Sequence, residues 1–212
     1  MGMTPHELAR GLFRVLETGD PALAADVVHD RFANREAAVA PAACSLSGPA
    51  GVLASSAWLR SAYEDLRLPI DAMAENGDRV WVRLRMQGRH TGPFVRYRDG
   101  RLDQAVPPTG REIDCEQIHV LNLHEGKVVR HEAVRDDVTM LQQLGVFPPS
   151  PSVALRMAAW KVGGRAARAA EEVTRRAAEA ASSVCRRAAR GREENAGDQA
   201  VRDAGSRERS AG

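Results

Sequence analysis

At 212 residues and 23.0 kDa the chain has room for one ordinary domain of about 100–150 residues and an appendage. Its net charge of +2 hides a split: residues 1–150 carry 17 Lys/Arg against 20 Asp/Glu, and residues 151–212 carry 13 against 8. There is no run of about 18 apolar residues and no basic-then-apolar start, which excludes a membrane-spanning helix or a secretion leader as the reading and makes a cytoplasmic location the expectation.

The apolar residues after position 150 are mostly alanine, so the core is expected within residues 1–150. Three widely spaced cysteines, Cys44, Cys115 and Cys185, fit neither a disulfide framework nor a zinc knuckle. The basic excess lies in the last sixty residues, but acidic residues are interspersed and Trp160 is the one aromatic there, so nucleic acid is not expected as a partner.

Thr4-Pro5 ahead of "HELARGLFRVLE" reads as a helix cap with proline in the first turn, and Leu8, Leu12, Val15 and Leu16 share one face; this predicts a helix over 5–17. "ALAADVVHDRFANRE" predicts a second short helix with Ala24, Val27, Val28 and Phe32 turned inward. A loop follows over 37–49. "PAGVLASSAWLRSAYEDL" then predicts a third helix ending before Pro69, with Val52, Trp58, Leu59, Ala62, Tyr63 and Leu66 near helical spacing.

Here the period changes to two. "PIDAMAE" reads as a short strand, Asn76-Gly77-Asp78 as a hairpin turn, and "RVWVRLRMQGRH" as a long strand with unlike faces. "TGPFVRYRDGRLDQAVPPTG" reads as a loop or small hairpin at the sheet edge. "REIDCEQIHVLNL", the turn "HEGK" and "VVRHEAVRD" predict a further hairpin, giving an α+β arrangement of helices followed by a curved antiparallel sheet.

After the break at "FPPSPS", residues 149–190 are Ala/Arg/Glu-rich and predict a helical extension, with Val162, Ala166, Ala169, Val173, Ala177, Ala180, Val184 and Ala188 as its stripe. Alanine buries little area, and Gly163-Gly164 weakens the start. Residues 191–212 have the composition of a disordered tail.

If Leu123 pairs with Val128 across "HEGK", an unbroken ladder sets His119 opposite Glu132, Gln117 opposite Val134 and Cys115 opposite Asp136. Gln117, His119, Glu132 and Asp136 then share one face, and Ile118, Val120 and His131 the other; a slip of one residue reverses every assignment. Asp136 stands where the strand stops and "VTMLQQLGVF" begins, a place where a carboxylate can meet the mouth of a cavity. Asp137 is expected to cap the helix that follows. His119, His124 and His131 lack the spacing of a zinc site, so no metal is expected. No Walker loop, dinucleotide fingerprint or nucleophile elbow occurs.

Through "ENGDRVWVRLRMQGRHTGPF", "PPTGREIDCEQIHVLNL" and "EGKVVRHEAVRDDVTMLQQLGVFP" the chain resembles the SnoaL-like polyketide cyclase (ester cyclase) branch of the NTF2-like superfamily over about residues 5–148. The resemblance implies a domain over 1–148 with a cone-shaped α+β barrel around an apolar pocket, no cofactor, and intramolecular aldol ring closure on an aromatic polyketide ester. It places the general acid/base at Asp136 and a pocket histidine at His119. Gln117, Glu132, Asn34, Trp58, Tyr63 and His90 are the expected substrate contacts, with His90 at the rim. The family often has tryptophan where this chain has Glu132, and "VRYRDGRLDQAV" is longer than usual there, so the entrance is expected to differ. A homodimer through the outer sheet face is also implied, since Ile118 and Val120 would otherwise be exposed. The alternative is a non-catalytic small-molecule-binding or assembly module whose C-terminal helix engages a partner that the sequence leaves unspecified.

Overall fold

The computed structural model describes residues 2–183; the predicted tail over 191–212, the end of the predicted extension and Cys185 lie outside them. Helix α1 (Pro5–Thr18) starts in a capping box: Thr4 Oγ1 accepts the Glu7 N–H, and the Glu7 carboxylate accepts the Thr4 N–H. It ends at Gly19, whose φ of 71° suits glycine. Its apolar face buries Leu8, Leu12, Phe13 and Val15.

The next two helices are shorter than predicted. Helix α2 (Pro21–Val27) stops where strand β1 (Val28–Asn34) begins, and α3 (Pro49–Ala62) gives way at Tyr63 to β2 (Tyr63–Arg67). Both changes have the same cause, a partner strand: β1 runs parallel to β8, and β2 pairs with the end of β4. The predicted inward residues Ala24, Val27, Val28 and Phe32 are all buried, Val28 and Phe32 from a strand. Between β1 and α3 the chain makes two 3-10 turns, Arg35–Val39 and Ala42–Ser45.

The remaining strands are β3 (Ile70–Asn76), β4 (Arg79–His90), β5 (Phe94–Arg98), β6 (Arg101–Val106), β7 (Glu112–His124) and β8 (Lys127–Arg135). The main sheet has the order β1-β8-β7-β4-β2, with β3 also on β4, and β5-β6 form a separate hairpin. The sheet is antiparallel except at its β1 edge. The Asn76-Gly77-Asp78 turn joins β3 to β4, with Asn76 opposite Arg79. Helices α1 and α3 and the two 3-10 turns cover the concave face, and the core lies between. Helix α4 (Asp137–Leu144) follows β8 directly.

One irregularity decides what faces the core. Leu123 pairs with Val128 as predicted, but Asn122 then pairs with Arg130, so Val129 is an extra residue in β8. From this bulge on, the register differs by one from the unbroken ladder: His119 opposes Ala133, Ile118 opposes Val134 and Gln117 opposes Arg135. His131 therefore turns inward and is buried, while Glu132 turns outward to ion pairs with Arg130 (2.6 Å) and Arg35 (3.5 Å).

Helix α5 (Pro151–Val162) ends at Gly163-Gly164, and a sixth helix, α6, resumes at 165 and continues to the last described residue, 183. It lies back on the domain, burying Ala170, Val173, Ala177 and Ala181. The predicted stripe is thus shared between the two helices, with Val162 exposed and Val173 and Ala177 buried. The outer face of α6 carries Glu172 paired with Arg175 and Arg176.

Candidate functional site

A cavity of about 80 Å³ lies between the concave face of the sheet, α1, α3 and the 3-10 turns. Its walls are mainly apolar: Leu12, Leu16, Phe32, Val52, Trp58, Leu59, Met86, Phe94 and Met140. Polar side chains reach it from seven elements. Gln117 and His119 come from β7, His131 and Arg135 from β8, Asn34 from the end of β1, Glu36 from the first 3-10 turn, Ser55 from α3, Arg96 from β5 and Asp137 from the first turn of α4.

Four of them form one string. Asn34 Oδ1 lies 3.1 Å from His131 Nδ1, His131 Nε2 lies 2.7 Å from His119 Nδ1, and His119 Nε2 lies 3.0 Å from Gln117 Oε1. The two imidazoles lie side by side and nearly coplanar, their planes 9° apart and their centroids 5.0 Å apart, as an in-plane N–H···N bond requires, with Phe13 edge-on to both. Asn34 is held from behind: its Oδ1 accepts the Glu36 N–H at 3.0 Å and its amide N–H donates to Ser55 Oγ at 3.4 Å.

The string determines where its protons sit. Asn34 Oδ1 only accepts, so His131 Nδ1 carries a proton; in a neutral ring Nε2 then accepts from His119 Nδ1–H. His119 Nε2 is left as an acceptor and requires the N–H end of the Gln117 amide. With Gln117 Oε1 toward the ring instead, a third ring proton and one positive charge are needed. Burial, with Arg135 nearby, lowers His131 to about 4 and His119 well below its ordinary value, which favours the neutral string and the Gln117 amide turned to donate. The turned carbonyl then meets the sulfur atoms of Met86 and Cys115, to which the amide lies at 3.4 and 4.0 Å.

The charged groups sit beside this string. Glu36 is fully engaged: Oε1 accepts the Ala133 N–H at 3.0 Å and Oε2 pairs with Arg135 at 3.2 Å. Among the described residues Asp137 has a single long contact, 3.4 Å to Arg135 Nε, and is the less committed carboxylate of the cavity wall. Asp136 has a different place. It is exposed, it caps α4 by accepting the Thr139 N–H at 2.9 Å, and the Thr139 hydroxyl together with that N–H holds its carboxyl below the usual carboxylate range. The cap expected of Asp137 is therefore made by Asp136, and the carboxylate that lines the cavity is Asp137.

Of the other predicted contacts, Trp58 lines the cavity, donates to the Val95 carbonyl at 3.0 Å and stacks on Phe94. Tyr63 and His90 stand one layer behind it. Tyr63 packs on Phe94 and its O–H points to Met140 Sδ at 3.5 Å. His90 is fully buried against Tyr63, with Nδ1 3.0 Å from Thr109 Oγ1, and burial lowers it to about 4. Glu132, on the outer face, does not reach the cavity. The placement missed from the sequence is that of His131, Glu36, Arg135, Asp137 and Arg96 as wall residues.

A second histidine cluster lies at the turn end of the sheet, where His29, His124 and Glu125 bring ligand atoms within 4.8 Å. There the Arg31 N–H donates to His29 Nδ1 at 3.0 Å, so the neutral ring carries its proton on Nε2, 3.5 Å from Glu125. Nε2 is a donor to the carboxylate in that state rather than a ligand.

Residues 6–144 match the family model of SnoaL-like polyketide cyclase. The chain belongs to this family. It is 30% identical over 153 residues to aklanonic acid methyl ester cyclase DnrD of Streptomyces peucetius, covering 70% of this chain and 95% of that one. It is 31% identical over 137 residues to aklanonic acid methyl ester cyclase AcmA of Streptomyces galilaeus, covering 64% and 87%. Among solved structures it is similar to TsrD from Streptomyces laurentii, at TM-score 0.54 and 24% identity over 66% of this chain and 94% of that one. IdmH from Streptomyces antibioticus follows at TM-score 0.52 and 23% identity, over 68% and 100%. These structures share the SnoaL-like fold, a curled sheet with helices across its concave face. Helix α6 lies wholly outside the matched residues.

Proposed function

We propose that this SnoaL-like protein is an ester cyclase that closes a ring on an aromatic polyketide ester by intramolecular aldol addition. The observation that carries the reading is the polar string Gln117–His119–His131–Asn34 at the floor of a mainly apolar cavity, with a little-committed carboxylate, Asp137, in the same wall. The names of the aklanonic acid methyl ester cyclases that it resembles supply the substrate class.

In this reading Asp137 removes the acidic C–H proton between two carbonyl groups. The enolate carbon attacks the ring-closing carbonyl, and the same carboxyl returns its proton to the new alkoxide, so no net proton is consumed. The enolate oxygen takes a hydrogen bond from the second N–H of the Gln117 amide, which His119 orients. Arg135 lies between Glu36 and Asp137 and pairs with both. The apolar walls contribute by folding the substrate into its reactive shape. The first 3-10 turn, which lies outside the sheet ladders, contributes Glu36, Ala37 and Val39 to the wall. The same reading pairs two copies through the convex face, where Trp81, Ile118 and Val134 are exposed.

The test is ring closure of aklanonic acid methyl ester, followed by chiral chromatography, with substrate binding measured on the same samples. Asp137→Asn is expected to lower turnover by about 10²–10⁴-fold with binding retained. Asp136→Asn, which leaves a competent cap, is expected to retain turnover. A reversed pair of results returns the acid/base role to Asp136. Stereoselective closure by neither the wild type nor the variants, with binding intact, removes the cyclase reading for this substrate.

A further inference from the structure

The β5-β6 hairpin, which stands apart from the main sheet, and the helix beyond the family match touch each other. The long segment between "GPF" and "PPTG" is the β5-β6 hairpin, closed by Asp99-Gly100, both with positive φ (52° and 72°). The helix beyond the family match, α6, is bonded to it: the Tyr97 O–H donates to the Ala170 carbonyl at 3.1 Å and accepts from Thr174 Oγ1 at 2.7 Å.

Alternation along β5 gives the hairpin two functions. Phe94 and Arg96, two residues apart, both line the cavity, while Val95 and Tyr97 lie on the opposite side. Phe94 is anchored by stacking on Trp58. Arg96 has no such anchor. Among the described residues its guanidinium makes no hydrogen bond or ion pair, whereas Arg135 in the same cavity has Glu36 and Asp137, and Arg98 on the hairpin faces Asp103. A half-buried guanidinium beside apolar walls presents its fork of N–H donors to whatever acceptor enters. It also cannot lose its charge, so desolvation favours an anionic acceptor.

We propose that Arg96 is a specificity-determining residue that takes an ionised phenol oxygen of the aromatic substrate, and that α6 holds it in place through Tyr97. The proposal deepens the cyclase reading and rests on it for the cavity being the substrate site. Arg96 acts by contact. Tyr97 acts through Arg96 and is a positioning residue.

The experiment uses the full chain and two probes that share a ring system, alizarin at a pH where one of its phenols is ionised and the dimethyl ether of alizarin, with dissociation constants read from quenching of tryptophan fluorescence. The wild type is expected to prefer the phenolate by about tenfold or more, the scale of a hydrogen bond to a charged group. Arg96→Gln is expected to bring the two probes to near parity by weakening the phenolate alone. Arg96→Lys retains part of the preference, since it keeps a point charge and loses the fork. Tyr97→Phe moves the ratio the same way by a smaller factor, with ether binding unchanged. If Arg96→Gln weakens both probes equally, or leaves the ratio at its wild-type value, the Arg96 assignment is overturned while ether binding still upholds the cavity as the site. If the wild type binds neither probe, both fall together.

Discussion

The cavity has two hairpins in its wall, and they are held in different ways. The β7-β8 hairpin lies in the middle of the main sheet, bonded to β4 on one side and β1 on the other, and its inward side chains are linked to each other through His119 and His131. The β5-β6 hairpin is bonded to no other strand and relies on Trp58, on Tyr97 and on a helix whose packed face is alanine and valine. The comparison teaches that the polar floor is set by sheet geometry, whereas the outer wall is set by a few side-chain contacts.

The sharpest way to break the contrast is at the entry to the outer hairpin. Gly92 brings the chain so close to α3 that a Cβ there would lie 1.8 Å from the Ser61 carbonyl oxygen, while its N–H and that of Thr91 donate to Ala62. Gly92→Ala is expected to cost about 3 kcal/mol or more, since backbone has to move. Chemical denaturation measures the loss, and hydrogen exchange should show it spreading into β5-β6 rather than β7-β8.

The next effect tests the floor. Because burial lowers His131 to about 4 while an unfolded histidine titrates near 6.5, the unfolded chain binds the proton first as pH falls. The contribution is complete above about 6.5, declines between there and about 4, and amounts to roughly 3 kcal/mol for this one group. Thermal midpoints from pH 8 to 4 should fall steeply in the wild type. Replacement by the non-titrating His131→Gln should flatten that slope, and an unchanged slope would remove the neutral string.

The smallest effect probes the helix that braces the outer wall. Val173 is 1% exposed, and Val173→Ala is expected to cost about 1.5 kcal/mol at about 0.8 kcal/mol per buried methylene. Early proteolysis within α6, with the α1–β8 domain left intact, would show that the helix opens separately.

Capped, periodic and turn-bounded segments were legible in the sequence. Thr4 with Glu7 marked α1, Asn76-Gly77 marked the β3-β4 turn, and the alternation in 79–90 marked β4. The ends of α2 and α3 were not, because Val28 and Tyr63 leave their helices for strands far away in sequence, and helical spacing continues past both points. In the site, Gln117, His119, Asn34 and Trp58 line the cavity as expected. His131 and Glu132 exchanged faces because the bulge at Val129 has no local signature. Asp136 and Asp137 exchanged places because adjacent aspartates ahead of a helix are equally good caps on paper, and only the path of β8 into α4 decides which one bonds Thr139.

That bulge has a consequence for how this pocket changes over generations. Its floor chemistry depends on one looped-out residue: with Val129 bulged the cavity has an imidazole opposite β7, and the same residues in an unbroken ladder would offer the carboxylate of Glu132. A three-nucleotide deletion at the Val129 codon would remove the bulge yet keep Asn122 opposite Arg130 and His131 opposite Leu121, so the imidazole floor would survive it. The floor is therefore tolerant of a change of length at that one position and sensitive to whether the strand loops a residue out there.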